Sequence, residues 1–457
     1  MKTIHTDAAI IGAGAAGMAA AIELLKAGLR VVLVDRETRS GGILNQCIHN
    51  GFGLHAYGEE LTGPEFAGRL AAELASAAEL ASAAELASAA ELNALAAPAP
   101  FELWLGTTVQ SIQPAQAEPE APVDGAPGSE GHRLVCVSPD RGVVTLEARA
   151  IVLAMGSRER NRGNVRIPGS RPAGVFTAGL AQRLVNIDGY LPGKEIVIIG
   201  SGDIGLIMAR RLSWSGCSVK AVVEIMAEPS GLARNIAQCL DDFNIPLYLS
   251  SQTTRIFGKE RVEGVEVTPL EGGRLQSEKA FRIDCDTVLL SVGLVPENEL
   301  SRAAGIALSP ATGGAIVDGW HMTNIPGIFS CGNVLHVHDL VDWVVAESRE
   351  AASCAVRWLA GERPGPQLLT ASGPNVRYVN PSSLDPVRGG RLYLRSMVSA
   401  RDAVLAVTAA GRIIRTKKLP RALPPEMLQL DFAPGELTNL APGSTLECSI
   451  STEAPHA

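Results

Sequence analysis

The sequence predicts an α/β fold built on parallel strands, and two stretches with the same order of residue types carry that prediction. Asp7 to Asp35 passes from an apolar run (Ala8 to Ile11) through a glycine turn (Gly12, Gly14, Gly17), an alanine-rich helical segment (Met18 to Lys26) and a glycine stop (Gly28). A second apolar run (Val31 to Val34) follows and is closed by an acid. Glu195 to Glu224 repeats the order, with Ile196 to Ile199, then Gly200, Gly202 and Gly205, a helical segment to Ser215, Gly216, and Val219 to Val223 before the acid. Strand, glycine turn, helix and strand in this order form a βαβ unit.

Each turn is suited to phosphate. The first glycine permits the tight turn, the second lets backbone approach a pyrophosphate, and the third lets the helix pack close to the strand, so that the helix N-terminus holds the phosphates. Asp35 stands eighteen residues after Gly17 and Glu224 nineteen after Gly205, both placed for ribose hydroxyls. Two complete fingerprints in one chain are far more specific than one, and they predict two Rossmann-like dinucleotide-binding domains. An acid at 224 accepts ribose hydroxyls and repels a 2′-phosphate, which favours NAD over NADP, although Arg234 lies close in sequence. The alternative is a degenerate second domain that keeps the fold without a nucleotide.

The chain of 457 residues has room for roughly three domains and a large core. Its net charge of −8 and pI near 5.6 argue against nucleic acid or an anionic membrane as partner. No run has the length and apolarity of a membrane span, and the first strand starts almost at Met1, so a cytoplasmic protein is expected. The eight cysteines include no CxxC pair, which signals neither a zinc ribbon nor a four-cysteine iron–sulfur cluster.

After Asp35, the glycine-rich loop Arg36 to Gly58 suits backbone packed against a ligand. It contains Cys47 and His49, a candidate redox thiol with a neighbouring cation, or else a buried thiol and an imidazole that shape a pocket. Thr62-Gly63-Pro64-Glu65 starts a helix with capping chemistry. That helix runs into a six-residue repeat with Glu at 73, 79, 85 and 91 and Leu after each. Six residues advance the leucines by about 240° per repeat, so they build no single buried stripe and no heptad seam. Phe101 to Ile112 reads as a strand, Pro114 to Gly131 as a solvent loop, and Leu134 to Val137, Val143 to Ala148 and Ala150 to Gly156 as further strands. Strands near Gln252 to Ile256, Val262 to Val267 and Thr287 to Val292 end at Gly293-Leu294-Val295-Pro296. A short strand then leads to Gly332-Asn333, with a helix over Val341 to Leu359. The tail beyond 363 reads as strand-rich (Arg391 to Leu394, Val404 to Val407, Arg412 to Ile414).

From residue 5 to about 360, this ordered set resembles the FAD-dependent pyridine nucleotide–disulfide oxidoreductase superfamily. The resemblance rests on the two fingerprints, the return strand Ala150 to Gly156, the exit Gly293 to Pro296, and Gly332-Asn333. It implies an FAD domain interrupted by an NAD domain, with boundaries 1–170 and 296–362 for FAD, 171–295 for NAD(P), and 363–457 as a β-rich module for partner contact. It implies FAD contacts at Gly12, Gly14, Ala15, Gly17, Asp35, Arg36, Gly42, Val109, Gly156, Gly332 and Asn333, and NAD contacts at Gly200, Gly202, Asp203, Gly205 and Glu224. Hydride would pass between the two cofactors without a general base, and the helix after Gly332-Asn333 would aim its N-terminal amides at the flavin. The superfamily's usual Gly-Asp is Gly-Asn here, where an amide still hydrogen-bonds a ribityl hydroxyl. The redox cysteine pair is missing, which removes dithiol chemistry.

The phrases at 41–55, 174–182 and 332–342 are similar to a narrower group of oxidoreductases that accompany a glycerol-3-phosphate dehydrogenase-type flavoprotein. The α-type subunits of sarcosine and opine oxidases and of hydrogen cyanide synthase are more distant relatives. A hetero-oligomer acting on a small substrate through its partner is therefore expected. Two rivals stay open: a free-standing NADH:acceptor reductase or oxidase using Cys47, and a non-catalytic dinucleotide-binding scaffold. His336, His338, Asp339 and Asp342 are read as pocket residues at a helix start. No metal site is expected of them, since no further ligand clusters there.

Overall fold

The computed structural model describes residues 2–91, 99–115 and 131–452, with side chains at 85–91 left aside. The chain divides into two compact units, one made of Met1–Asn45, Asn50–Ser157 and Pro296–Ala457, the other of Gln46–His49 and Arg158–Val295.

In the first unit Lys2–Ile11 lies at the centre of a seven-stranded sheet, parallel to Val31–Val34 on one side and Gly142–Leu153 on the other. Successive residues of a strand point to opposite faces. Ala8 and Ile10 therefore join Val31 and Leu33 in a core beneath the helices Ala15–Lys26, Gly63–Glu91 and Val341–Leu359. Ala9 and Ile11 join Val32, Val34 and Trp104 in the core on the other face. Burial on both faces explains the unbroken apolar runs.

Two sequence-based boundaries change. The stretch from Phe101 to Ile112 is two strands, Phe101–Trp104 and Thr108–Gln113, because Gly106 turns the chain at φ +58°. The runs beginning at Val143 and Ala150 are one strand, Gly142–Leu153, which Ile328–Ser330 joins in parallel. The repeat in Gly63–Glu91 behaves as its period requires, with Leu74 buried and Leu80 70% exposed. Most of the expected loop Pro114–Gly131, residues 116–130, lies outside the described residues, as does Leu92 of the repeat.

The C-terminal strands form a five-stranded and a three-stranded sheet around their own core, which includes Leu368, Leu392, Leu405, Phe432 and Ile450. They belong to the same compact unit as the first glycine turn. Trp320 Nε1 donates to Asp385 Oδ2 at 3.2 Å, and Ser382 N to the Val317 carbonyl at 2.9 Å.

The second unit holds a five-stranded parallel sheet in the order Val175–Thr177, Thr287–Leu290, Glu195–Ile199, Ser218–Val223, Leu247–Tyr248. A four-stranded antiparallel sheet contains Ser251–Phe257 and Gly264–Glu271. Among the described residues no helix is long and apolar enough to cross a membrane.

Candidate functional site

The two glycine turns are built alike, each in its own unit. Gly12 has φ +107°, and a Cβ there would meet the Ala154 carbonyl oxygen at 2.4 Å. At Gly17 a Cβ would lie 1.7 Å from the Gly12 oxygen, so only glycine lets the helix approach the strand this closely. The Cβ direction of Gly14 is open, and Gly14 is the N-cap of Ala15–Lys26, a helix with no acid in its first turn. The N-terminal amides of that helix thus sit beside the open side of Gly14.

In the second unit Gly200 has φ +90° and a Cβ there would meet the Ser291 carbonyl at 2.1 Å. Gly205 presses on Ser291, whose Cβ would be 2.7 Å from an added methyl and whose Oγ accepts the Gly205 N–H at 3.1 Å. Gly202 caps the helix Asp203–Trp214. Ser291 was not a sequence candidate: it lies 86 residues from Gly205, beyond any local pattern.

The two acids also act alike. Asp35 accepts the Ala13 N–H on Oδ2 at 2.6 Å and the Glu37 N–H on Oδ1 at 2.8 Å. Glu224 accepts the Ser201 N–H on Oε2 at 2.9 Å and the Met226 N–H on Oε1 at 2.9 Å, with the Ser201 hydroxyl donating at 2.5 Å. Each acid thus binds the amide just after the first glycine and the amide two residues beyond itself. Both Asp35 oxygens and Glu224 Oε1 each keep a second lone-pair site, whereas Glu224 Oε2 is already filled by Ser201 N, Ser201 Oγ and Ser230 Oγ.

Around the first turn the structure gathers several predicted residues. Gly42, at φ +56°, sits so that its Cβ would be 3.1 Å from the Gly14 Cα, and Gly332, at φ +69°, faces Ala16. Ala15 is buried beside them. Gly156, at φ +74°, follows Ala154, and Arg36 is exposed on the loop after Asp35. Val109 turns its side chain into the core with Ile11 and Trp104. Asp203 gives Oδ1 to the Leu232 N–H at 2.8 Å and the Asn235 amide at 2.6 Å, so that oxygen braces the following helix.

Three further outcomes concern the sequence candidates. Gly332–Val334 forms a 3₁₀ turn, and the long helix spans Val341–Leu359, the range expected from the sequence. His336, His338 and Asp339 therefore precede the helix. Asp339 binds Arg395 and the Met427 N–H, and Asp342 accepts the Gly53, His55 and Ala56 amides. His336 and His338 do gather a third group, the buried Glu347, which corrects the expectation that no further ligand clusters with them. Cys47 lies 3.6 Å from Gln182 Oε1 and packs with the second unit, where His49 also belongs. Burial pushes the Cys47 thiol up to about 12, far from a reactive thiolate. All eight cysteines are free.

A cavity of about 630 Å³ opens in the second unit at Thr177 and Leu290, the carboxyl ends of two parallel strands, with Phe176, Leu180, Arg166 and Arg171 among its walls. Ligands of open parallel sheets bind at that end.

A family model described as pyridine nucleotide-disulphide oxidoreductase matches residues 6–357. An opine oxidase subunit of Agrobacterium tumefaciens (strain Ach5) is 27% identical over 313 residues, covering 66% of this chain and 55% of that protein. The ferredoxin–NAD(+) reductase component of the biphenyl dioxygenase system of Paraburkholderia xenovorans is 30% identical over 239 residues, covering 48% and 54%. The chain thus spans about half the length of these curated relatives. Among solved structures, T. acidophilum thioredoxin reductase aligns with a TM-score of 0.57 at 23% identity, covering 77% of this chain and 98% of that one, a likeness of fold.

Proposed function

Because the chain belongs to the pyridine nucleotide-disulphide oxidoreductase family, and so to the FAD- and pyridine-nucleotide-dependent oxidoreductases, we propose that it passes hydride between NAD(H) and FAD. We place FAD at Gly12, Gly14, Ala15, Gly17, Asp35, Arg36, Gly42, Val109, Gly156, Gly332 and Asn333, and NAD at Gly200, Gly202, Asp203, Gly205 and Glu224. The observation that carries this reading is the equivalence of the two turns, in which an acid binds the amide after the first glycine. Both turns are preorganised for a nucleotide, which a degenerate second domain has no reason to keep.

Bound FAD supplies the hydride acceptor and donor; the protein supplies binding, orientation and field. The N-terminal amides of Ala15–Lys26 and Asp203–Trp214 bind pyrophosphate, and the remaining lone-pair sites of Asp35 and of Glu224 Oε1 bind ribose hydroxyls. The carboxylate at 224 disfavours a 2′-phosphate, so NAD is the preferred nucleotide.

We further place the chain in a multi-component system whose partner flavoprotein oxidises glycerol 3-phosphate or a similar small substrate, with the β-rich residues 363–457 as the partner contact. The similarity of 41–55, 174–182 and 332–342 to such oxidoreductases supports this, as does the subunit or component character of the named relatives. A thiol route through Cys47 is not favoured, since that thiol stays protonated.

The test is anaerobic mixing of the FAD-loaded protein with NADH and, separately, NADPH, followed by flavin absorbance. Rapid bleaching by NADH is expected. Bound FAD that neither nucleotide bleaches would refute the transfer and leave a dinucleotide-binding scaffold.

A further inference from the structure

Three fully buried side chains meet between the turn at Gly332 and the helix Val341–Leu359. His336 Nε2 lies 2.7 Å from Glu347 Oε1, and His338 Nε2 lies 3.0 Å from Oε2. The Gly332 N–H donates to that same Oε2 at 2.7 Å. Two histidines and a glutamate are a donor set that zinc accepts, and the ligand atoms lie within 4.8 Å of one another.

The far sides of the imidazoles decide against a metal. A metal-bound histidine donates its other ring N–H to an acceptor, whereas both Nδ1 atoms here are buried without a hydrogen-bond partner. Metal on Nε2 would place hydrogens on both Nδ1 atoms and orphan two buried donors. The Nε2–H tautomers leave only lone pairs unpaired, which is the cheaper defect. They also give Glu347 three N–H donors in all, counting Gly332, which satisfy a buried carboxylate without a cation. Burial lowers the His336 pKa and keeps that ring neutral.

What the carboxylate holds is the turn. Gly332 is wedged between two helices: an added Cβ would lie 3.0 Å from the Ala16 Cβ and 3.2 Å from Val344 Cγ1. The next residue, Asn333, accepts the His338 N–H on Oδ1 at 3.0 Å, so its amide NH₂ is the group it offers a ligand. The loop from Gly332 to His338 is thus closed on itself, and Glu347 is the anion that closes it.

We propose that Glu347 is a positioning residue for FAD: with His336 and His338 it fixes the Gly332 amide, and so sets the Asn333 amide as a hydrogen-bond donor towards the cofactor. The inference rests on FAD lying at Gly332-Asn333. In Glu347→Gln an NH₂ faces either the Gly332 and His338 N–H groups or the His336 N–H, so the closure is weakened. The full chain, stripped and titrated with FAD by flavin fluorescence, should bind about tenfold or more weakly as this variant. Its affinity for NADH should match the wild type. Unchanged FAD affinity in a folded Glu347→Gln protein would overturn the proposal; a wild-type chain that binds no FAD would instead refute the placement of the cofactor.

Two further measurements test the closure itself. Nitrogen NMR of the ring atoms should show His336 neutral and both rings protonated on Nε2. Elemental analysis after dialysis against zinc should show no zinc that Glu347→Gln releases; one bound equivalent lost in that variant would overturn the hydrogen-bonded closure in favour of a metal.

Discussion

Replacing Glu224 by Gln tests the second nucleotide site at its least replaceable bond set. The carboxylate is 4% exposed and accepts from Ser201 N, Ser201 Oγ and Met226 N. Glutamine keeps one acceptor oxygen. Turned towards Ser201, it leaves the Met226 N–H facing an NH₂ group; turned the other way, it abandons both Ser201 donors. The less damaging orientation still forfeits one charge-assisted bond and buries an unpaired donor, a cost of about 1–3 kcal/mol. Because Ser201 is the residue after Gly200, that cost falls on the turn proposed to receive the pyrophosphate. NADH affinity is expected to fall by about 5- to 150-fold, with FAD content unchanged. Loss of the negative charge should also raise NADPH affinity relative to NADH. The assay is an anaerobic titration of flavin bleaching with each nucleotide. An NADH dissociation constant that does not move, in a protein that still holds FAD, would refute the argument that this acid organises the turn.

Gly205→Ala drives a methyl to 2.7 Å from the Ser291 Cβ, an overpacking expected to cost about 1–3 kcal/mol in urea unfolding; adding Ser291→Gly should recover part of the stability. Leu74→Ala should cost about 2–5 kcal/mol, whereas Leu80→Ala, at 70% exposure in the next repeat, should stay within about 0.5 kcal/mol, as thermal melts would show. Burial holds Cys47, Cys285, Cys331 and Cys448 each at about 12 against an ordinary 9.0. The unfolded chain therefore releases these protons first, and stability should fall as pH rises from 9 towards 12, by about 1.4 kcal/mol per thiol per pH unit in that window. For the same reason alkylation of native Cys47 at pH 8 should be far slower than that of an unstructured cysteine peptide.

Both βαβ units were legible in the residues because each depends on neighbours within about thirty positions. Apolar runs form the strands, a positive φ at Gly12 and Gly200 makes the turns, and the close contact of Gly17 with Gly12 admits no side chain. The acids were also found, but the amides they hold were not, since a spacing locates a carboxylate without saying which N–H groups it meets. The single strand Gly142–Leu153 was split in two for want of any signal that its neighbours run its full length on one side.

What the tertiary structure alone decided lies between residues far apart in sequence or on different elements. Ser291 reaches Gly205 only after the sheet has placed Thr287–Leu290 beside Glu195–Ile199. Glu347 meets His336 and His338 because the helix from Val341 turns its first buried face onto the loop it follows. The sequence determined the elements and the fingerprints, since these follow from local sterics and hydrophobic period. Which polar groups pair in the interior depended on packing, because a buried carboxylate is satisfied by whichever donors the fold brings within about 3 Å of it.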